Sequence, residues 1–203
     1  MKKADALRKL RKFIGDDLAF WAKQFGGRCS IFSPNGNLNK GWAGNTSENL
    51  AGLELNNEQR PDCDDAEMKT IKCRFGREQN LVPENSVCIG GMGDQETRTP
   101  FNPNIPFESS HLFEKIKSLI LVLWVGDHSK ERNCIVHKVI SIDASSDFLR
   151  QVKEDYNEIC DFVKTYGFYS LHSGLGNIIQ SRTKNEGRNW YFKTRAVSKM
   201  VAA

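Results

Sequence analysis

The sequence predicts an α/β protein in which a mixed central sheet is flanked by helices. Apolar residues recur at helical spacing in the first 25 residues and again between residues 145 and 166. Between them lie segments with the alternation or the short apolar runs of strands. The run L-I-L-V-L-W-V at residues 119–125 is typical of a central strand covered on both faces. With 203 residues, the chain is long enough for one domain, or for one domain divided into two lobes by a cleft.

The N-terminal part of the chain is predicted to be a helical lobe that covers residues 1–57. An amphipathic helix is expected over residues 4–25, interrupted at Gly15 and ended by a pair of glycines. The turn-forming segment S-P-N-G-N-L-N at residues 33–39 separates it from a second helix, which we expect over residues 40–55.

The remaining residues, 58–203, are predicted to carry the sheet. A pair of serines followed by Asp147 begins a long helix that Gly167 ends, and this helix should cover the sheet. A final helix is expected from Ala196. Strands are expected at residues 65–74, 87–89, 119–125, 134–142 and 177–181.

The composition is that of a globular protein with a basic balance. A net charge of +4 and a pI near 8.7 fit a polyanionic partner, although many proteins without a nucleic-acid role are equally basic. The N-terminus lacks an apolar signal core, and no segment is apolar for long enough to span a bilayer, so we expect a cytoplasmic protein without membrane contact. The six cysteines stand far apart and form no C-x-x-C pair, so they are expected to be reduced and structural.

The segment P-D-C-D-D-A-E-M-K at residues 61–69 carries the candidate chemistry. It places Asp62 in a turn and puts Glu67 and Lys69 on one face of the strand that follows. The two carboxylates and the carbonyl of Met68 could hold Mg²⁺, which neutralises charge on phosphate oxygens and lowers the pKa of an attacking water. Lys69 could position or deprotonate that water, or hold the scissile phosphate. The segment therefore predicts Mg²⁺-dependent hydrolysis of a phosphodiester.

An E-x-K triplet alone is a weak signal, because a chain of this composition contains about one by chance. The segment alone also fits a solvated strand face with alternating charges. Further segments in order add to it. They are K-G-W at residues 40–42 with Glu48, E-M-K-T at 67–70, S-H at 110–111 with Lys115, L-R-Q-V-K-E-D-Y-N-E-I-C-D-F at 149–162, and Q-S-R-T-K at 180–184 with Y-F-K at 191–193. Together these blocks resemble the MutH and Sau-type family of GATC-directed DNA endonucleases, a branch of the PD-(D/E)-x-K nucleases.

The resemblance covers residues 38–201 and implies a restriction-endonuclease-like fold, with double-stranded DNA in a cleft between two lobes. It implies that Glu48 joins the catalytic group and that Lys115 faces the active site. The products would carry 5′-phosphate and 3′-hydroxyl ends.

Two features stay open in the sequence. The spacing from the first aspartate to E-x-K differs from the usual family spacing, so Asp64 or Asp65 could replace Asp62 as the first metal ligand. The block Q-S-R-T-K at residues 180–184 resembles the loop with which the family recognises DNA, called the reading loop. Thr183 stands where a proline is usual in this loop, so the family's GATC target does not transfer directly to this chain.

DNA recognition is predicted for the C-terminal segment. Arg182 and Lys184 alternate with Ser181 and Thr183, which puts both cations on one side of an extended segment. Such cations can donate to guanine O6 and N7 in the major groove. A solubilising edge strand is the alternative. The predicted DNA-binding residues are Arg182, Lys184, Arg188, Tyr191 and Lys193, of which Lys193 is expected to contact phosphate.

Three functions fit these features. The first is a type II restriction endonuclease acting on a short palindrome, as a homodimer where both strands are cut together. The second is a mismatch-repair nickase of hemimethylated DNA that a partner ATPase complex activates. The third is a DNA-binding module without catalysis. The first is favoured, because the reading loop has diverged from the family while the catalytic residues remain.

Overall fold

The computed structural model describes residues 1–54, 61–93, 101–184 and 187–202. Its α-helices are α1 (Lys3–Leu10), α2 (Leu18–Phe25), α3 (Trp42–Ala51), α4 (His111–Ile116), α5 (Ser146–Tyr166) and α6 (Thr194–Ala202). Its strands are β1 (Glu67–Phe75), β2 (Leu81–Pro83), β3 (Val87–Gly91), β4 (Ser118–Asp127), β5 (Arg132–Asp143), β6 (Ile179–Lys184) and β7 (Gly187–Phe192). The α/β class predicted from the sequence is confirmed. Within this part of the chain, no helix is long and apolar enough to cross a membrane.

By their internal contacts the residues form two compact units, each discontinuous along the chain. The predicted boundary after residue 57 separates the N-terminal helices from β1 and β4, whereas in the structure they share one unit, because these helices bury their apolar faces on that sheet. The described residues of the first unit are 1–54, 61–84 and 119–142, and those of the second are 85–93, 101–118, 143–184 and 187–202.

The first unit contains a mixed sheet of order β2-β1-β4-β5, in which β1 is parallel to β4 and antiparallel to β2. The side chains from Leu119 to Trp124 alternate between the two faces of β4, and each is at most 4% exposed. The predicted central strand covered on both faces is therefore confirmed. On one face, Met68, Ile120 and Trp124 belong to a core that includes residues of α1, α2 and α3.

The break between α1 and α2 lies at the glycine where an interruption was predicted. Gly15 has a φ of +94°, a conformation that side-chain-bearing residues rarely adopt. The break lays the chain beside β5, where the Gly15 N–H donates to the Val136 carbonyl (2.8 Å) and the Val136 N–H donates to the Asp16 carbonyl (3.0 Å). Asp17 then caps α2 and also accepts from the Cys134 N–H (2.9 Å). One turn thus joins the helices to the sheet.

The predicted mixed sheet is present but does not contain all the predicted strands, because β3, β6 and β7 form a separate antiparallel sheet of order β3-β7-β6. Periodicity predicts that a segment is a strand but not which strand it pairs with. Here β3 pairs with β7, with Val87 opposite Phe192, and does not join β1 and β4. The sequence patterns do not predict β2 or β7, since β2 has three residues and β7 mixes glycine, polar and aromatic side chains.

The long helix α5 begins and ends where the sequence predicts. The hydroxyl of Ser145 caps its N-terminus by accepting from the Phe148 N–H (3.2 Å), and Gly167 follows its last residue. The helix packs on the antiparallel sheet. The ring centroids of Tyr156 and Trp190 lie 5.7 Å apart, and those of Phe148 and Phe192 lie 6.0 Å apart.

Gly126 in β4 lies so close to the backbone of β5 that its replacement by alanine is expected to destabilise the fold. A Cβ at this position would lie 2.2 Å from the Asn133 carbonyl oxygen and 2.7 Å from the Cys134 Cα. Both atoms are backbone, so no side-chain rotation relieves the clash. We expect Gly126→Ala to lower the free energy of unfolding by about 2 to 4 kcal/mol, measured by urea denaturation. Gly44→Ala is the control, because nothing lies within 4 Å of its Cβ; an equal loss there would contradict the explanation.

Candidate active site

The first strand presents an ion pair whose carboxylate is buried. Side chains alternate along β1, so Glu67 and Lys69 lie on the face opposite Met68. Glu67 is 1% exposed, and its Oε1 accepts a hydrogen bond from Lys69 Nζ. Their neighbours on the parallel strand β4 are Leu119 and Leu121. Burying a charged carboxylate is costly for folding, and such local conflicts are expected where a protein carries out its function.

Asp62 lies at the edge of this strand. A turn precedes β1, closed by a hydrogen bond from the Cys63 N–H to the Ala66 carbonyl (2.8 Å). This turn brings the Asp62 carboxylate back onto β1, where its Oδ2 accepts from the Met68 N–H (2.8 Å). Asp62 therefore lies beside Met68, which separates Glu67 from Lys69 in the sequence.

The Met68 carbonyl lies on the same edge of β1. In a strand, the N–H and C=O of one residue point to the same side. Since the Met68 N–H meets Asp62, the Met68 carbonyl also points away from β4. The Lys72 carbonyl, four residues along, agrees with this alternation because it accepts from the Glu84 N–H (3.0 Å) on the β2 side.

The other two aspartates of the turn contact the N-terminal segment. Asp65 Oδ1 accepts from the Lys3 N–H (2.6 Å) at the beginning of α1. Asp64 Oδ1 lies 3.2 Å from the amine of Met1. Of the three aspartates, Asp62 is thus the one whose carboxylate bonds to the backbone of β1.

The thiol within this turn is expected to stay protonated. Burial raises the pKa of Cys63 to about 11, and the negative charge of Asp62 adds to the effect. Cys63 is therefore a neutral group at neutral pH, suited to packing and not to nucleophilic attack. All six cysteines lie within the described residues, and all are free thiols.

Glu48 lies on α3, which contacts β1 in the first unit. Its side chain is half-buried. The helix is held in place by Trp42, which is 3% exposed and meets Trp124 of β4 edge-on with ring centroids 5.3 Å apart. The two tryptophans are core residues.

Lys115 belongs to the second unit, and Asp62, Glu67 and Lys69 belong to the first. It lies on α4 and is half-buried. The hydroxyl of Ser110 caps this helix by accepting from the Phe113 N–H (3.2 Å). Its helix packs against β3.

The donor set around Asp62 suits a hard divalent cation. Asp62 and Glu67 offer carboxylate oxygens, and Met68 offers a carbonyl oxygen on the same edge as Asp62. Mg²⁺ prefers oxygen ligands and usually keeps several waters, so few protein ligands suffice. Across residues 1–54, 61–93, 101–184 and 187–202, no three His, Cys, Asp or Glu side chains gather as a metal-binding group. The candidate site has two carboxylates and one carbonyl.

The second unit brings together some of the predicted DNA-binding residues. By alternation Arg182 shares a face with Gln180 and with Tyr191 of β7, and its guanidinium lies 5.5 Å from the Tyr191 ring centroid. With the Gln180 amide oriented so that both its groups are satisfied, its oxygen accepts from Arg182 Nε and Nη2 at 3.0 Å each. Burial raises the pKa of Tyr191, so its phenol stays neutral. Lys184 ends β6 opposite Gly187.

Arg188 and Lys193 lie elsewhere. Arg188 is on the opposite face of β7, where its guanidinium donates to Ser181 Oγ (3.3 Å) and the Tyr169 carbonyl (3.3 Å). Lys193 follows β7, and its Nζ donates to the Gly176 carbonyl (2.6 Å). Arg188 therefore does not share a face with Arg182 and Tyr191, and the Lys193 amine contacts the segment before β6.

One buried acidic residue, Asp155, was not predicted from the sequence. Asp155 is 3% exposed and accepts three backbone N–H groups, from Asn177, Ile178 and Ile179. A signal was available, because Asp155 lies three residues after Val152 on the apolar stripe of α5. A charged residue on the buried face of a helix indicates a specific partner.

Metal-assisted hydrolysis uses oxygen ligands and a nearby acid–base group, and Asp62, Glu67, the Met68 carbonyl and Lys69 bring groups of these kinds to β1. No protein-family model matches this chain, and no curated protein matches it either.

Proposed function

We propose that this protein is a Mg²⁺-dependent, sequence-specific endonuclease of double-stranded DNA, of the type II restriction kind and similar to the MutH branch of the PD-(D/E)-x-K nucleases. The observation that carries the proposal is the ion pair between the buried Glu67 and the partly exposed Lys69, on a strand whose edge Asp62 occupies. The restriction-endonuclease-like arrangement, with two lobes around a DNA cleft, belongs to the same proposal.

Asp62, Glu67 and the Met68 carbonyl would hold Mg²⁺. When bound, the ion neutralises charge on the scissile phosphate and lowers the pKa of a water. The hydrogen bond from Lys69 Nζ to Glu67 Oε1 fixes the amine beside these ligands. From there Lys69 would, as an ammonium, hold the attacking water or donate to a phosphate oxygen, and once deprotonated it would take a proton from that water. Products with 5′-phosphate and 3′-hydroxyl ends are expected.

Two further residues would assist. Glu48, on the helix that packs against β1, would orient the water, and Lys115 would donate to the phosphate. Their roles rest on the family resemblance of the K-G-W and S-H blocks. Arg182 and Tyr191, which share a face of the antiparallel sheet, would contact base edges, together with Lys184 at the end of β6.

A digest of a plasmid of known sequence tests the proposal. Purified protein with Mg²⁺ should produce linear DNA whose mapped ends share one short palindrome, and EDTA should abolish the reaction. Concerted cutting of both strands needs two active sites and therefore a homodimer. Nicking only in the presence of a repair ATPase complex would favour the nickase. Sequence-specific binding without cleavage would favour a DNA-binding module, and uniform degradation would remove the restriction assignment.

A further inference from the structure

A buried carboxylate on α5 holds the backbone that leads into β6. Asp155 Oδ1 accepts from the Asn177 N–H (2.8 Å), and its Oδ2 accepts from the N–H groups of Ile178 (2.6 Å) and Ile179 (2.9 Å). Three consecutive amides thus converge on one carboxylate that is 3% exposed. Successive amides arranged this way are a strong binding concavity for an anion, and here the anion is part of the protein.

Lys193 holds the same segment through its carbonyls. Its Nζ donates to the Gly176 carbonyl (2.6 Å), and its backbone N–H donates to the Ile178 carbonyl (2.8 Å). Gly176 has a φ of +71°, and a Cβ there would lie 2.3 Å from the Ile179 carbonyl oxygen. The segment from Gly176 to Ile179, with Asp155 and Lys193, is called the β6 clamp below.

The β6 clamp ends where β6 begins, and β6 carries Arg182, which is predicted to contact DNA bases. Ile179 is the first residue of β6 and the last residue that Asp155 contacts. Arg182 follows three residues later on the face shared with Tyr191. Because the strand is regular over this distance, the position of Ile179 sets the position of the Arg182 guanidinium.

We propose that Asp155 is a positioning residue for DNA recognition, and that it sets the position of the Arg182 side chain on the sheet by fixing the start of β6. The inference rests on the proposed function, since it names how the same protein places its base-reading side chain. The geometry also assigns Lys193 to the β6 clamp, in place of the phosphate contact predicted from the sequence.

The first measurement compares cleavage rates on the mapped target duplex and on duplexes with one altered base pair. Asp155→Asn replaces an accepting oxygen with an amide that donates, so at least one backbone N–H loses its acceptor. We expect the ratio of target to altered rates to fall about tenfold or more, the size of one good base contact. Asp161→Asn is the matched control, because Asp161 lies on the same helix with its side chain 74% exposed; its ratio should stay unchanged.

The second measurement separates positioning from loss of stability. A destabilised enzyme is slower on every duplex and leaves the ratio unchanged. If Asp155 acts through Arg182, Asp155→Asn should change the ratio by less than about twofold in an Arg182→Ala background. If Asp155→Asn lowers the ratio of target to altered rates by the same factor in the Arg182→Ala background as in the wild type, the proposal is overturned.

Lys193→Met tests the β6 clamp without touching the buried carboxylate, should Asp155→Asn fail to fold. It should lower the ratio and couple to Arg182→Ala in the same way, with an unchanged salt dependence of binding. A shallower salt dependence would instead show a phosphate contact and overturn the assignment of Lys193. A wild-type protein without sequence preference would overturn the proposed function and this inference together, whereas a specific wild type with an unchanged Asp155→Asn ratio overturns this inference alone.

Discussion

Lys69→Ala is expected to lower Mg²⁺-dependent cleavage of the target duplex by about 10²- to 10⁴-fold, the range for removing a positioned acid–base group. The amine sits beside the proposed ligands through its bond to Glu67, so its loss leaves the attacking water and the phosphate without that donor. Single-turnover cleavage with excess enzyme measures the effect, because it excludes product release. DNA binding measured without metal should change little, since a single side chain contributes a small part of the affinity.

Lys72→Ala is the matched control for Lys69→Ala. Lys72 lies on the same strand but on the opposite face, and it also forms an ion pair, with Glu84 at 3.0 Å. Any general effect of removing a paired lysine from β1 should appear in both variants. Wild-type cleavage by Lys69→Ala, or an equal loss in Lys72→Ala, would remove Lys69 from the catalytic residues.

Local signals in the sequence predict the elements better than they predict the sheets. The ends of α5 follow from Ser145 and Gly167, and the burial of β4 follows from its continuous apolar run. The pairing of β3 depends on contacts between Val87 and Phe192, which lie far apart in the chain. No periodicity within either segment encodes that partner, so the second sheet is visible only in the structure.

In the candidate site, too, local patterns predict some features, and contacts between distant residues determine the others. Strand alternation alone puts Glu67 and Lys69 on one face, and the structure has that geometry. The choice among the three aspartates needs the path of the turn, because Asp65 meets the Lys3 amide 62 positions away. Arg188 is a similar case, because its place on the α5 side of β7 depends on the register of a strand that the pattern does not predict.

Glu67→Gln is expected to reduce cleavage by at least about 10²-fold at low Mg²⁺, for a reason different from that for Lys69→Ala. The amide keeps the size of the buried side chain but removes one negative charge from the proposed ligand set, which weakens the binding of a cation. Raising the Mg²⁺ concentration should therefore recover part of the rate for Glu67→Gln. It should not recover Lys69→Ala, whose lost group is not a ligand.

Thermal unfolding provides a readout of the ligand set that does not depend on cleavage. A cation that binds only the folded state raises the Tm as its concentration rises, so the wild type should show a Mg²⁺-dependent increase. The increase should be much smaller in Glu67→Gln and at least as large in Lys69→Ala, because removing a positive charge does not oppose cation binding. Glu84→Gln removes a partner of Lys72 on β1 and should behave as the wild type. An undiminished Mg²⁺ shift in Glu67→Gln would show that this carboxylate is not a ligand and would leave the ion pair with Lys69 as its role.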